Sequence, residues 1–171
     1  MGELLQVGKR GKQILRLLLE NGPLSSATLK EVVVPPMKIR KLNAAISRLR
    51  SLGLVRNRHS SIRQYAGRYH ELAAGDGHRS LLAQLLGVPK ERLKTLPGNT
   101  EALEHWQACT IWAFRFEQQF PGVQISRDFQ IIHDDALIEA TNLSSRDIDL
   151  IPDLVLKFQR RNAGEQNVFV A

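Results

Sequence analysis

Breaks in the helical pattern divide residues 9–52 of this chain into three short segments. Asn21-Gly22-Pro23 ends the first segment, because glycine supplies a left-handed cap and proline cannot continue the backbone hydrogen bonds of a helix. Val34-Pro35-Pro36 forces an extended break after the second segment, and Gly53 ends the third. The sequence therefore predicts helices over residues 9–21, up to about residue 33, and over about 37–52, with Ser25 or Ser26 as the N-cap of the second.

The third segment has two chemically different faces when it is wound as a helix. One face is apolar and consists of Ile39, Leu42, Ala45, Ile46 and Leu49. The opposite face alternates cations with small residues, namely Arg40, Lys41, Ala44, Ser47, Arg48 and Ser51. Small residues let a helix backbone approach a nucleic-acid groove closely, and long cationic side chains reach phosphates or guanine edges.

The residues that follow read as a hairpin. A strand is expected at Leu54-Val55-Arg56, a polar basic turn at 57–61 and a returning strand at 62–65. Helix, helix, turn, helix and hairpin is the element order of a winged helix-turn-helix domain, and residues 9–70 resemble that family. The phrase from Ile46 to Val55 carries the resemblance most clearly. In this family the third helix enters the major groove and the wing contacts the backbone or the minor groove.

The resemblance implies two sets of DNA contacts. Candidates for the groove are Lys38, Arg40, Lys41, Ser47 and Arg48. Candidates for wing and phosphate contacts are Arg56, Arg58, His59 and Arg63. The alternative is a solvated, charged helix in a module that binds protein rather than DNA, and His59 by itself reads as a polar loop residue.

Charge is distributed unevenly along the chain. The segment from Lys9 to Arg68 holds 14 of the 24 basic residues but only two of the 17 acidic residues, a net charge of +12, whereas the rest of the chain is net acidic at −5. Such a division predicts a compact basic face that meets a polyanion, with double-stranded DNA as the expected partner, and an acidic module behind it. A membrane surface is disfavoured, because the apolar helix faces are needed for a core.

The charge break and the turn signal Gly75-Asp76-Gly77 predict two domains, 1–74 and 75–171. We expect an α+β protein, with an N-terminal winged helix-turn-helix followed by a smaller α/β module that has a long helix and a short sheet. The single cysteine, Cys109, and the absence of a membrane-spanning apolar run in the sequence favour a cytoplasmic protein.

The second module is predicted to begin with a short helix over 79–86. A long helix follows, capped by Asn99 or Thr100 and running to about residue 119. Its buried side is expected to contain Leu103, Trp106, Thr110, Ala113, Phe114 and Phe120. Glu117 falls within that arc and must pair, bind a cation or bend out to water. Strands are expected over 123–125, 129–133, 152–158 and 167–171.

A helix that carries a glutamate, a Pro-Asp that opens a strand, and a hairpin with a partner strand resemble the restriction-endonuclease-like core. In that family the aspartate and a Glu-any-Lys triplet on the next strand hold Mg²⁺ and activate water. Asp153 matches the aspartate and Glu117 the helical glutamate, but the sequence stops at Ala171 before any such triplet. Cleavage by this chain is therefore not expected. No cofactor is expected either, with Mg²⁺ required only under the nuclease alternative.

A winged helix followed by a helix bearing His105-Trp106 and a Pro-Asp-Leu strand is also similar to the replication-relaxation proteins of plasmids and conjugative elements. Three functions remain open. The first is a DNA-binding protein of a bacterium or mobile element, which acts in DNA processing, replication or transcription control. The second is a fragment of a Mg²⁺ nuclease centred on Asp153. The third is an adaptor that docks on a relaxase or replication protein through the acidic second half. A homodimer is left open.

Overall fold

The computed structural model of the protein describes residues 7–59, 68–73, 75–93, 103–121, 123–127, 154–160 and 164–170. Within these ranges the protein is α+β, with five α-helices and two three-stranded antiparallel sheets. The chain divides into two compact units, Met1–Glu104 and His105–Ala171.

The described residues of the first unit form four helices, three strands and one turn of 3-10 helix at Lys90–Arg92. The helices are α1 (Lys9–Asn21), α2 (Ser26–Val32), α3 (Ile39–Ser51) and α4 (Asp76–Leu86). The strands are β1 (Leu24–Ser25), β2 (Val55–His59) and β3 (Arg68–Leu72). The sheet has the order β1-β3-β2, so β3 lies in the centre, with Leu24 opposite His70 and Arg56 opposite Glu71.

Local signals set the ends of the first three helices close to the predicted positions. α1 has the predicted bounds, and Gly22 is its C-cap. The φ of Gly22 is 71°, a conformation that residues with a side chain disfavour. The Oγ of Ser25 accepts a hydrogen bond from the Thr28 amide at 3.0 Å, which makes Ser25 the N-cap of α2. α3 is shorter than predicted, and Gly53 follows it with a φ of 69°.

The turn between α2 and α3 is hydrogen-bonded to α1. A terminal nitrogen of Arg10 donates to the carbonyl oxygen of Pro35 at 3.1 Å, and the side-chain amide of Gln13 donates to the carbonyl oxygen of Val34. These two bonds satisfy carbonyl groups that lie outside any helix or strand. They also fix the start of α3 relative to α1.

One apolar cluster forms the core of the first unit. It contains Ile14, Leu15 and Leu18 from α1, Leu29 from α2, Leu42, Ile46 and Leu49 from α3, and Leu54 and Val55 at the start of β2. α4 adds Leu82, Ala83 and Leu86 to the same cluster. The sequence placed a domain boundary at 74–75, ahead of α4. The compact unit instead extends through α4 because these three side chains share its core.

The hairpin differs from its predicted form. Asn57 and Arg58 were expected in a turn, but they continue β2, because they pair with His70 and Tyr69 of β3. The returning strand predicted at 62–65 lies outside the described residues, and β3 occupies Arg68–Leu72, a segment to which no strand was assigned. β1 was also missed, since two residues are too few for an alternating pattern.

The second unit contains most of α5 (Leu103–Gln119) and the strands β4 (Val123–Arg127), β5 (Leu154–Arg160) and β6 (Gly164–Val170). The strands form an antiparallel sheet in the order β4-β5-β6, with Leu156 between Ile125 and Val168. A small apolar cluster contains Cys109, Ala113 and Ile125, with Phe116 and Val123 packed against it. Cys109 is buried and is not part of a disulfide.

The expected buried side of α5 is confirmed in part. Leu103, Thr110 and Ala113 are buried, and Phe114 is half-buried, whereas the side chain of Trp106 lies outside the description. The prediction for Phe120 was wrong, since it is 46% exposed, with its ring tilted against that of Phe116 and the ring centroids 4.6 Å apart. It follows the last helical residue, so the helical projection no longer applies to it.

The predicted strands of the second unit are close to those observed where the structure describes them. β4 begins at 123 as expected and continues to Arg127, and β6 begins ahead of the predicted 167. β5 begins at Leu154, while residues 129–133 and 152–153 lie outside the described ranges. None of the helices in the described parts of the chain has the length and apolar character needed to cross a membrane.

The conformation of Gly53 gives a test of the α3 end. We expect Gly53→Ala to lower the free energy of unfolding by about 1–2 kcal/mol, because φ is 69° and L-residues are strained there. The nearest atom to an added Cβ, Nε2 of His78 at 2.5 Å, is the tip of an exposed side chain that can move aside. Denaturant unfolding of both proteins measures the change.

Gly77→Ala is the matched control for this substitution. Gly77 lies inside α4 with no atom within 4 Å of an added Cβ. Alanine should stabilise the helix there by about 0.5 kcal/mol, since it reduces the entropy of the unfolded chain. Equal effects of the two substitutions would contradict the role assigned to Gly53.

Candidate functional site

α3 exposes a cationic face. The predicted groove candidates Lys38, Arg40, Lys41, Ser47 and Arg48 are all exposed, with Lys38 in the N-cap position. The helix itself contains four basic residues and no acidic residue. Its opposite face is buried through Leu42, Ile46 and Leu49. The cationic face predicted from the sequence is therefore confirmed, and the apolar face is confirmed in part, because Ile39 was assigned to it but is 43% exposed.

A carboxylate on β3 holds two of the predicted wing arginines. Nε of Arg56 lies 2.6 Å from Oε1 of Glu71, and a terminal nitrogen of Arg58 lies 3.1 Å from Oε2. The strand register explains the geometry, because Arg56 is directly opposite Glu71 and Arg58 is two residues further along the same face. Both carboxylate oxygens thus accept a charge-assisted hydrogen bond.

The two arginines differ in exposure. The side chain of Arg56 is 54% exposed, whereas that of Arg58 is 11% exposed. Burial of Arg58 against Glu71 gives it a role inside the sheet and leaves it little surface for the phosphate contact predicted from the sequence. Arg56 keeps an exposed guanidinium. His59 lies on β2, but its side chain is outside the description, as is the whole of Arg63.

His70 connects the sheet to α2. Its ring is buried, with Nε2 at 2.9 Å from Oγ of Ser26 and Nδ1 at 3.3 Å from Oδ1 of Asn57. Ser26 is the first residue of α2 and Asn57 lies on β2. The ring therefore connects α2 to β2 by hydrogen bonds at both nitrogens.

An open groove of about 550 Å³ lies between the second half of α3 and β2. Its lining residues are Ser47, Arg50, Ser51, Val55, Arg56 and Asn57. Sequence reasoning singled out Ser47 and Arg56 but missed Arg50 and Asn57. Arg50 was assigned to neither face of the helix, and Asn57 was placed in a turn. The signal that could have found Arg50 is its three-residue spacing from Ser47, which puts both on adjacent turns.

In the second unit the structure gives Glu117 a partner. Its Oε1 accepts a hydrogen bond from the backbone amide of Ile125 at 3.2 Å, so the carboxylate joins α5 to β4. Asp153, the other residue of the nuclease alternative, lies outside the described residues. No group of three or more possible metal ligands is found among the residues that the structure describes. The assignment of Asp153 and Glu117 to an endonuclease-like site stays a prediction.

Comparisons of the chain with protein-family models, with characterised proteins and with solved structures found no match. The function is therefore inferred from the chemistry of the residues and from the sequence resemblances.

The Glu71 ion pairs make a stability prediction. Glu71→Gln removes the negative charge that two arginines share, one of them mostly buried, and we expect a loss of about 2 kcal/mol in the free energy of unfolding. Glu91→Gln removes the same charge from an exposed position and should change the free energy by less than about 0.5 kcal/mol. Thermal and urea unfolding compare the two, and similar losses would refute the assignment.

Proposed function

We propose that this protein binds double-stranded DNA through the exposed face of α3. The observation that carries the proposal is the division of this helix. Leu42, Ile46 and Leu49 fasten one face to the core, and the other face presents cations without an acidic residue in the helix. An anionic partner that is long and regular fits such a face better than a small ligand, because the charges are spread along several turns.

We further propose that Met1–Glu104 is a winged helix-turn-helix unit. The order of α1, β1, α2, α3, β2 and β3 supports this, as does the small antiparallel sheet in which β3 lies between β1 and β2. The hydrogen bonds of Arg10 and Gln13 to the α2–α3 turn, and of His70 to Ser26, support a rigid placement of α3. A rigid reading helix loses little entropy on binding.

The dimensions and side chains of α3 suit the major groove. A helix with its side chains is about 10–12 Å across, and the major groove of B-DNA is about 12 Å wide. Ala44 and Ser47 are small and exposed, which permits a close approach of the backbone. Arg48 is exposed on the same face, and an arginine side chain can donate two hydrogen bonds to a guanine edge. Lys38, Arg40 and Lys41 supply charge at the other end of the helix.

The resemblance of the sequence to replication-relaxation proteins supports a proposal for the biological process. On that basis we propose DNA processing, replication or transcription control in a bacterium or a mobile element. Docking of a relaxase or replication protein on the acidic second half is a compatible extension of the proposal, because it uses another part of the chain.

Replacement of Arg48 tests the proposed reading residue. We expect Arg48→Ala to weaken binding to a duplex selected from a random pool by about 1–3 kcal/mol, if it contacts a base, and to relax the preference at that position. Arg16→Ala is the matched control, since Arg16 is an exposed arginine on α1. Fluorescence anisotropy with labelled duplexes measures both. Equal losses for the two variants, or none for Arg48→Ala, would remove Arg48 from the contact set.

The salt dependence of binding tests the electrostatic part of the proposal. If the four basic residues of α3 neutralise phosphates, the slope of the logarithm of the association constant against the logarithm of the salt concentration should be about −4. Titrations of one duplex between about 50 and 200 mM salt give this slope. If the protein bound no duplex at low ionic strength, the proposal would be refuted.

A further inference from the structure

The groove between α3 and β2 has the chemistry of an anion site. Of its six described lining residues, five are polar or cationic and Val55 is the exception, and none of the six is a carboxylate. Pockets for drug-like ligands are mostly apolar and enclosed, so this open groove suits a ligand that stays partly in water. Its two charged residues, Arg50 and Arg56, are both cations and both exposed.

Arg56 is held in a way that presents its guanidinium outward. Its Nε donates to Glu71 at 2.6 Å, and Glu71 uses its other oxygen for Arg58. The guanidinium of an arginine has five N–H groups, of which one is on Nε and four are on the two terminal nitrogens. The bond from Nε to Glu71 therefore does not use the four donors of the terminal nitrogens. More than half of the side chain is exposed despite the ion pair, at 54%. A guanidinium that is fixed at one edge and exposed at the other loses little entropy when it binds a phosphate.

Arg50 is needed because the groove lies beside the carboxyl end of α3. The partial negative charge of a helix C-terminus repels anions, so a phosphate there requires cations that offset it. Arg50 is in the last turn of the helix and Arg56 is on the adjacent strand. Ser47 and Asn57 add neutral donors to the lining. Oδ1 of Asn57 faces Nδ1 of His70 at 3.3 Å, which leaves the amide nitrogen of Asn57 as its donor.

We propose that this groove seats one phosphate group, that Arg50 and Arg56 bind it, and that Glu71 is a positioning residue which orients Arg56. The ligand chemistry is a phosphate, which a DNA backbone diester and free inorganic phosphate share. Binding of a DNA backbone phosphate rests on the proposed function and adds one defined contact, shared by Arg50 of α3 and Arg56 of β2. The free form is independent of that function.

Duplexes in which one charged phosphate is replaced by a neutral methylphosphonate test whether the groove binds a phosphate of the DNA backbone. A series of duplexes, each with a single methylphosphonate, is titrated by anisotropy against the wild type, Arg50→Ala and Arg56→Ala. One position should weaken wild-type binding roughly tenfold and leave both variants nearly unaffected, because each loses the charge-assisted contact already. Each variant should also reduce the magnitude of the salt slope by about 0.9 on the unmodified duplex.

Arg40→Ala is the matched control, since Arg40 is an exposed arginine of α3 that does not line the groove. It should remain sensitive to the same methylphosphonate. If the wild type binds DNA while Arg50→Ala and Arg56→Ala keep both their affinity and their sensitivity, the groove inference is overturned and the proposed function stands.

The positioning role of Glu71 is tested by non-additivity. Glu71→Gln should weaken duplex binding in the wild-type background but have no further effect in an Arg56→Ala background, because it acts through Arg56. A purely structural role would reduce binding by the same factor in both. Arg56→Lys gives a second probe, since lysine has one nitrogen and cannot bind Glu71 and a phosphate with separate edges. Circular dichroism below the melting transition verifies that each variant is folded.

Inorganic phosphate distinguishes the remaining outcomes. If no duplex is bound at low salt, the proposed function fails. Titration of the wild type with inorganic phosphate by calorimetry then shows whether the groove binds a phosphate. Binding that disappears in Arg50→Ala would support a free-phosphate site. An absence of both phosphate and duplex binding would overturn the inference itself.

Discussion

The burial of Leu42, Ile46 and Leu49 decides which side of α3 meets solvent. These side chains join the core cluster with residues of α1 and α2, and each fully buried leucine or isoleucine contributes about 1.5–3 kcal/mol. Because a helix turns by about 100° per residue, any other orientation would expose this apolar row and bury cations without partners. The cationic surface is thus a consequence of core packing, and the proposed DNA contact depends on it.

A second constraint is the need of the mostly buried Arg58 for an acidic partner. The stretch from Lys9 to Arg68, in which Arg58 lies, has only two acidic residues, and the partner, Glu71, comes from outside that stretch. Glu71 also holds Arg56. β2 is an edge strand of the described sheet, and charged side chains at an edge hinder pairing with other chains. The side chains of these ion pairs therefore hinder the pairing of β2 with another chain, and the ion pair with Glu71 also positions Arg56 beside the groove.

The two units differ in the size of their described cores. The first combines α1 to α4 and the start of β2 in one apolar cluster, whereas the described cluster of the second contains Cys109, Ala113 and Ile125 with two neighbours. In the second unit the bond from Ile125 to Glu117 supplements this packing with a polar link between helix and sheet. Glu117, an acidic side chain on the apolar side of a helix, thereby has a backbone amide as a hydrogen-bond partner.

Signals within a few residues were sufficient for the first three helices, whereas α4 begins at Asp76, ahead of the predicted 79. The Ser25 cap, the break at Gly22 and the positive φ at Gly53 act through side chain and backbone over one or two turns, so the sequence by itself determined α1, α2 and the two faces of α3. The tertiary structure decided the strand register, because pairing joins residues far apart and alternation in short strands is weak. Contacts such as Arg56 with Glu71, 15 residues apart, and Ser26 with His70, 44 apart, exist only once that register is set. The groove that unites Arg50 with Arg56 and Asn57 depends on it for the same reason.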